Sequence, residues 1–159
     1  ETASSRYHAR AIMQHISLTI ASRLEDVSLV ATAVRGLCES AGLHPTAVLQ
    51  IELALVEALN NVIFHGYQSR PEHQIRTDWQ LVDDCVRIEI LDQGQTLASL
   101  PDGDMPEAMS ESGRGWPIIR ACMDRVDYHS SQGVNHLTLI KRAGHHSASD
   151  PHESEQPCC

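Results

Sequence analysis

Residues 51–67 read IELALVEALNNVIFHGY and set Glu57, Asn61 and His65 at intervals of four on one helix. Each residue of an α-helix turns the chain by about 100°, so a step of four drifts by only about 40° and the three side chains line one stripe. Ile51, Leu55, Leu59 and Val62 fall on the opposite stripe and can face a core. The stretch therefore predicts a helix that buries one side and presents a carboxylate, a carboxamide and an imidazole on the other. Such a face is either a solvated surface or a place to hold a cation and a base, and the rest of the chain decides between them. For His65, position alone favours packing or capping over chemistry.

Upstream, His15 to Ala21 alternates, with Ile16, Leu18 and Ile20 on one side, which predicts a half-buried strand. Ser22 and Glu25 have the S-x-x-E form of a capping box, and apolar residues then recur at helical spacing from Val27 to Ala41, where Gly42 closes the helix. Pro45 suits the first turn of the helix that carries Glu57. Downstream, Gln74 to Val82 and Cys85 to Leu91 read as a hairpin around Asp83-Asp84. Gln93 to Ser112 has no period and carries Gly94, Pro101, Gly103 and Pro106 among acids; loops of that length in small domains are commonly lids. A short helix follows from Gly113 to about Met123, with Pro117 tolerable in its first turn. Arg125 to Ser130 and Val134 to Lys141 form a last hairpin around Gln132-Gly133. The order predicts an α+β fold, a mixed, mostly antiparallel sheet with helices packed on one face.

The chain has 159 residues, 42% of them hydrophobic, enough for one domain with a core. Its formal charge of −9 argues against direct nucleic-acid binding, which favours a basic surface, but leaves room for a single nucleotide. No apolar run is read as approaching the roughly 18 residues that span a bilayer, and no signal segment opens the chain, so a cytoplasmic protein without membrane contact is expected. Cys38, Cys85 and Cys122 fall in element interiors and read as reduced core residues. Residues 1–14 read as an N-terminal segment and fragment boundary, 15–143 as the folded domain, and 144–159 as a disordered tail, whose His145, His146, His152, Cys158 and Cys159 lack zinc-ligand spacing.

Three segments carry parts that nucleotide chemistry needs. Glu57 and Asn61 supply oxygens for a hard cation, or a base for a hydroxyl. Asp92, at the end of a strand in Leu91-Asp92-Gln93-Gly94, can accept a hydrogen bond from an exocyclic amine where glycine lets the backbone come close. Gly113-Arg114-Gly115 precedes a helix whose free amides and dipole can hold phosphate oxygens. Each signal alone is weak, since most Asp-x-Gly runs are turns, but their order and spacing reinforce one another.

In that combination the chain resembles the bacterial anti-sigma-factor serine/threonine kinases, within the ATPase superfamily (GHKL, Bergerat fold) that includes gyrase, Hsp90, histidine kinases and MutL. Glu57-Ala58-Leu59-Asn60-Asn61 with His65-Gly66-Tyr67 looks like its N box. Asp92-Gln93-Gly94 looks like its first glycine box, and Gly113-Arg114-Gly115 with Ile118 and Ile119 like its second. The resemblance covers Ile16 to Arg142 and implies the Bergerat α/β sandwich, ATP and Mg2+. It also implies roles: Asn61 as the magnesium ligand, Glu57 as the general base for a serine hydroxyl, Asp92 on the adenine amine with Gly94 permitting close approach. Gly113, Arg114 and Gly115 would wrap the phosphates, Gln93 to Ser112 would be the ATP lid, and Thr138 would make a water-mediated adenine contact. The implied partners are a STAS-domain anti-sigma-factor antagonist, phosphorylated on serine, and a sigma factor sequestered when the antagonist is absent; a homodimer is a further expectation.

Two positions depart from the family pattern. Thr96 stands where a second glycine is usual, adding a Cβ where backbone freedom is expected. Trp116-Pro117 follows the second box in place of leucine, and Pro117 removes one amide. These motivate an alternative, a partner-binding module of the same fold without turnover. A histidine-kinase catalytic domain is a lesser one, since no dimerisation helix with a phosphoacceptor histidine precedes the fold.

Overall fold

The structure, a computed structural model, describes residues 14–101 and 113–144. In chain order it contains β1 (Gln14–Ala21), α1 (Leu24–Ser40), α2 (Pro45–Asn61) running directly into a π-helical turn (Val62–Gly66), β2 (Gln74–Val82), β3 (Cys85–Asp92), α3 (Gly115–Cys122), β4 (Arg125–Ser131) and β5 (Val134–Arg142). The strands form one five-stranded sheet in the order β1-β2-β3-β5-β4. Among the described residues every pairing is antiparallel, without the parallel component implied by a mixed sheet. The reason lies in the connections: two hairpins, β2–β3 and β4–β5, meet by pairing β3 with β5, and neither junction needs a parallel crossover. At the β4–β5 turn Gln132 and Gly133 have φ of 53° and 78°, the left-handed pair that a two-residue hairpin turn requires.

The helices and one sheet face share a single core. Ile51, Ala54, Leu55, Ala58 and Leu59 of α2 are buried against Ile75 and Trp79 of β2, Val86, Ile88 and Ile90 of β3, and Leu137 and Leu139 of β5 within one cluster that also takes in α1 and Ile119 of α3. The apolar stripe expected of α2 is thus the stripe that is buried. Pro45–Gly66, taken as one run of 22 residues with mean hydropathy 1.5, is long and apolar enough by length and composition to cross a membrane, contrary to the expectation from sequence. In the fold it is the helix that lies between α1 and α3, with one side buried in the core and Leu49, Leu53 and Phe64 exposed.

α1 begins differently from expectation. Arg23, not Ser22, is the N-cap residue, without a side-chain cap, and bonds Asp26 at 2.8 Å. Ser22 is buried and ties two distant segments: its hydroxyl donates to the Arg70 carbonyl at 2.5 Å and accepts from the His73 amide at 3.2 Å. The far end is as predicted, with Gly42 at φ 77° and its amide on the Glu39 carbonyl. α2 opens on Pro45, preceded by His44, whose Nδ1 accepts the Thr46 amide. β1 is more open than a half-buried strand, with Ile16 exposed and only Leu18 and Ile20 packed against the core. Cys38 and Cys122 are buried and free, whereas Cys85, expected to be reduced, is disulfide-bonded. It opens β3 half-buried, at the rim of the sheet and not inside the core.

Candidate functional site

A cavity of about 540 Å³ opens between the end of α2, the C-terminal end of β3, the start of β5 and α3. Its lining includes Asn61, His65, Asp92, Thr96, Trp116 and Asn135. The π-helical turn shapes one wall. Closing the Tyr67 amide onto the Val62 carbonyl at 2.8 Å inserts an extra residue into the last turn and breaks the four-residue spacing after Asn61. His65 is exposed on the wall of the cavity that Asn61 also lines, so the shared stripe holds for these two, whereas the packing or capping role expected of His65 does not.

Gly66, on that turn, meets Gly94. The Gln95 amide donates to the Gly66 carbonyl at 2.8 Å, and a Cβ added at Gly94 would lie 2.7 Å from the Gly66 carbonyl carbon and oxygen. The glycine of the Asp92-Gln93-Gly94 run is therefore required by backbone contact between the two motifs. Tyr67 reinforces the junction, its buried hydroxyl accepting the Gln93 amide at 2.7 Å and donating to the Gln74 carbonyl at 3.0 Å.

Asp92 is buried and its Oδ1 accepts from the Gly94 amide at 2.8 Å and from Asn135 Nδ2 at 2.9 Å. Burial pushes its carboxyl above the usual carboxylate range, with the Asn135 and Gly94 hydrogen bonds and nearby His136 opposing the rise. Both hydrogen bonds land on Oδ1, which leaves Oδ2 as the oxygen to meet a donor in the cavity. Asn135 and the hydroxyl of Tyr128 belong to this site, and the sequence reading missed both. The signal that could have found Asn135 is register: it pairs directly with Asp92 across the β3–β5 ladder. Thr138, the residue expected on β5, pairs with Glu89 and falls on the other sheet face, since Asn135, Leu137 and Leu139 share the core face by the two-residue period of a strand. It does not line the cavity.

Glu57 and Asn61 meet the second glycine motif. A Cβ at Gly115 would lie 3.1 Å from Glu57 Oε2 and 3.1 Å from Asn61 Oδ1, so both side chains converge on the first residue of α3. Asn61 lines the cavity while its Nδ2 is buried without a hydrogen-bond partner, a polar group held for something else. Gly113, at φ 107°, and Arg114 are exposed at the start of α3. Pro117 is the third residue of α3, where an amide has no intrahelical acceptor, so its ring costs the helix no bond. The free first-turn amides are those of Gly115 and Trp116, since Ile118 already donates to the Arg114 carbonyl. Of the loop expected over Gln93 to Ser112, residues 102–112 lie outside the described residues, as do residues 1–13 and the tail from 145 to 159.

Among the described residues no three His, Cys, Asp or Glu side chains cluster as a metal cage. The donor set, the Asn61 carboxamide with the Glu57 carboxylate beside it, suits a magnesium ion that arrives with phosphate and water ligands of its own.

The family of histidine kinase-like ATPase domains matches residues 20–141, spanning every part of this site. The chain belongs to that family. Among its relatives, the anti-sigma F factor of Oceanobacillus iheyensis is 30% identical over 123 residues, 73% of this chain and 83% of that protein. The anti-sigma F factor of Clostridium beijerinckii is 26% identical over 134 residues, covering 80% and 92%. The serine-protein kinase RsbW of Staphylococcus epidermidis is 26% identical over 137 residues, covering 80% and 86%. The fold is similar to the RsbU and RsbW domains of Rv1364c from Mycobacterium tuberculosis, with a TM-score of 0.62 at 19% identity over 81% of this chain and 32% of that one.

Proposed function

We propose that the chain is an anti-sigma-factor serine kinase of the cytoplasm: it binds Mg-ATP, phosphorylates a serine of a STAS-domain antagonist and, when free of it, sequesters a sigma factor. The observation that carries this reading is convergence. Glu57 and Asn61 meet Gly115 at the start of α3, and Asn61 shares one cavity with Asp92. Asp92 Oδ2 takes the exocyclic amine of the base. The amides of Gly115 and Trp116, the helix dipole behind them and the Arg114 guanidinium face the phosphates. Asn61 holds the magnesium, which neutralises phosphate charge when bound. Glu57, half-buried and without a side-chain partner among the described residues, accepts the proton of the incoming serine hydroxyl. Positioning and charge neutralisation supply most of the rate in such a transfer.

A phosphoserine adds roughly −1.5 to −2 charges, which at a tight interface expels the antagonist and frees the kinase for its sigma factor. The names of the relatives, anti-sigma F factor and serine-protein kinase RsbW, support both halves of this cycle. A homodimer is part of the proposal. The departures at Thr96 and Pro117 give little support to an inactive module, because Thr96 is hydrogen-bonded within the site and Pro117 costs α3 nothing. Incubating the chain with γ-labelled ATP, magnesium and the STAS proteins of its own genome should label one of them on serine; Mg-ATP binding with no labelled STAS protein would contradict the kinase reading.

A further inference from the structure

Asn135 lies at the centre of a hydrogen-bond network that the roles above leave unused. Its Nδ2 donates to Asp92 Oδ1 at 2.9 Å and to the Gly94 carbonyl at 3.1 Å. Its Oδ1 accepts from the Thr96 hydroxyl at 3.0 Å and from the Tyr128 hydroxyl at 3.0 Å, and the Tyr128 oxygen in turn accepts the Leu97 amide at 2.9 Å. The direction of every bond is fixed. A carboxylate and a carbonyl only accept, so the amide nitrogen must face them, and a flipped amide would set its oxygen against two acceptors. The hydroxyls must then donate to Oδ1, and Tyr128, having spent its proton there, must accept from Leu97. Asn135 is 2% exposed, so water cannot replace these partners without disrupting the site.

We infer that Asn135, clasped by Thr96 and Tyr128, is the positioning residue that makes this site select a 6-amino purine over a 6-oxo purine. The inference rests on the nucleotide-binding reading above. Two donors on Oδ1 hold Asp92 as an acceptor-only carboxylate and fix which oxygen faces the cavity. An acceptor there pairs with an exocyclic amine and opposes a carbonyl, and a site with buried polar groups discriminates strongly against a ligand that leaves them unpaired. Without Asn135, Asp92 keeps one donor fewer, turns more freely and protonates more readily, and a protonated carboxyl can donate to a 6-oxo group. Thr96 acquires a function by the same logic: where glycine freedom was expected, a hydroxyl pins the first turn of the loop to the strand that orients Asp92.

The test is calorimetric titration of the full chain with Mg-ATP and Mg-GTP, comparing wild type with Asn135→Leu, Thr96→Val, Thr96→Ser and the pair Thr96→Val/Tyr128→Phe. Asn135→Leu should weaken ATP by about tenfold or more, the loss of a hydrogen bond to a charged group, and narrow the ATP-to-GTP ratio. Thr96→Val should weaken ATP by a few fold and Thr96→Ser should restore it. The double variant should lose more than the product of its singles, because either hydroxyl alone still holds the shared acceptor. Should Asn135→Leu lose its native circular dichroism, the Thr96 pair decides, since it alters only a hydroxyl in a loop. Wild-type ATP affinity and base preference in the variants would overturn the inference alone. Failure of the wild type to bind either nucleotide would overturn the nucleotide reading and the inference with it.

Discussion

Burial works against the ionisation of Asp92, while the Asn135 and Gly94 hydrogen bonds and nearby His136 favour it. Burial raises its carboxyl above the usual range, so the folded chain grips that proton more tightly than the unfolded chain, and above the raised pKa the ionised group costs folding free energy. Asp92→Asn should therefore leave the melting temperature at neutral pH unchanged or higher while weakening Mg-ATP by about 10- to 100-fold, the range for a charged hydrogen bond. Binding by the wild type, which needs the ionised acceptor, should fade on acidification at a higher pH than an exposed aspartate would dictate. A melting curve and a pH series of titrations check both. Gly94 sets a purely steric demand. Gly94→Ala puts a methyl group 2.7 Å from the Gly66 backbone and should cost about 1–3 kcal/mol in urea denaturation, as overpacking does, since backbone cannot step aside.

At the scale of elements, what the sequence revealed follows from what each signal physically encodes. Periodicity encodes which face is buried, and Ile51, Leu55, Leu59 and Val62 are buried as read. A four-residue interval encodes alignment only while the helix stays α. The π-helical turn after Asn61 ends that regime, yet His65 still lines the same cavity as Asn61. Ser22 shows the competition between local and tertiary bonds: the S-x-x-E pattern offers a cap, but the hydroxyl goes to Arg70 and His73, 48 and 51 residues away. Ser22→Ala should then cost about 0.5–1.5 kcal/mol, the net worth of a typical hydrogen bond, and loosen the segment between the π turn and β2 as well as α1. Amide exchange at Arg70 to His73 separates that outcome from simple fraying of α1. Thr138 was expected at the site and lies outside the cavity for a related reason. Strand period places a residue on a face, but only register says which one sits opposite Asp92.

Across the whole molecule, the antiparallel sheet and helical layer bring together residues 54 and 58 positions apart, the Gly115 of α3 lying against Asn61 and Glu57 of α2. The same packing sets Asp92, at the end of β3, in the cavity that Asn61 lines. Glu57 and Asp92 belong to different elements, α2 and β3, so the proposed roles in transfer and in binding are separable by mutation. The most direct measurement is single-turnover transfer from γ-labelled ATP to the STAS antagonist by wild type and Glu57→Ala, with Mg-ATP affinity measured on the same samples. The account predicts that Glu57→Ala binds ATP within a few fold of wild type and transfers at least about 100-fold more slowly, the span that a positioned general base supplies. Transfer at the wild-type rate by Glu57→Ala would contradict it.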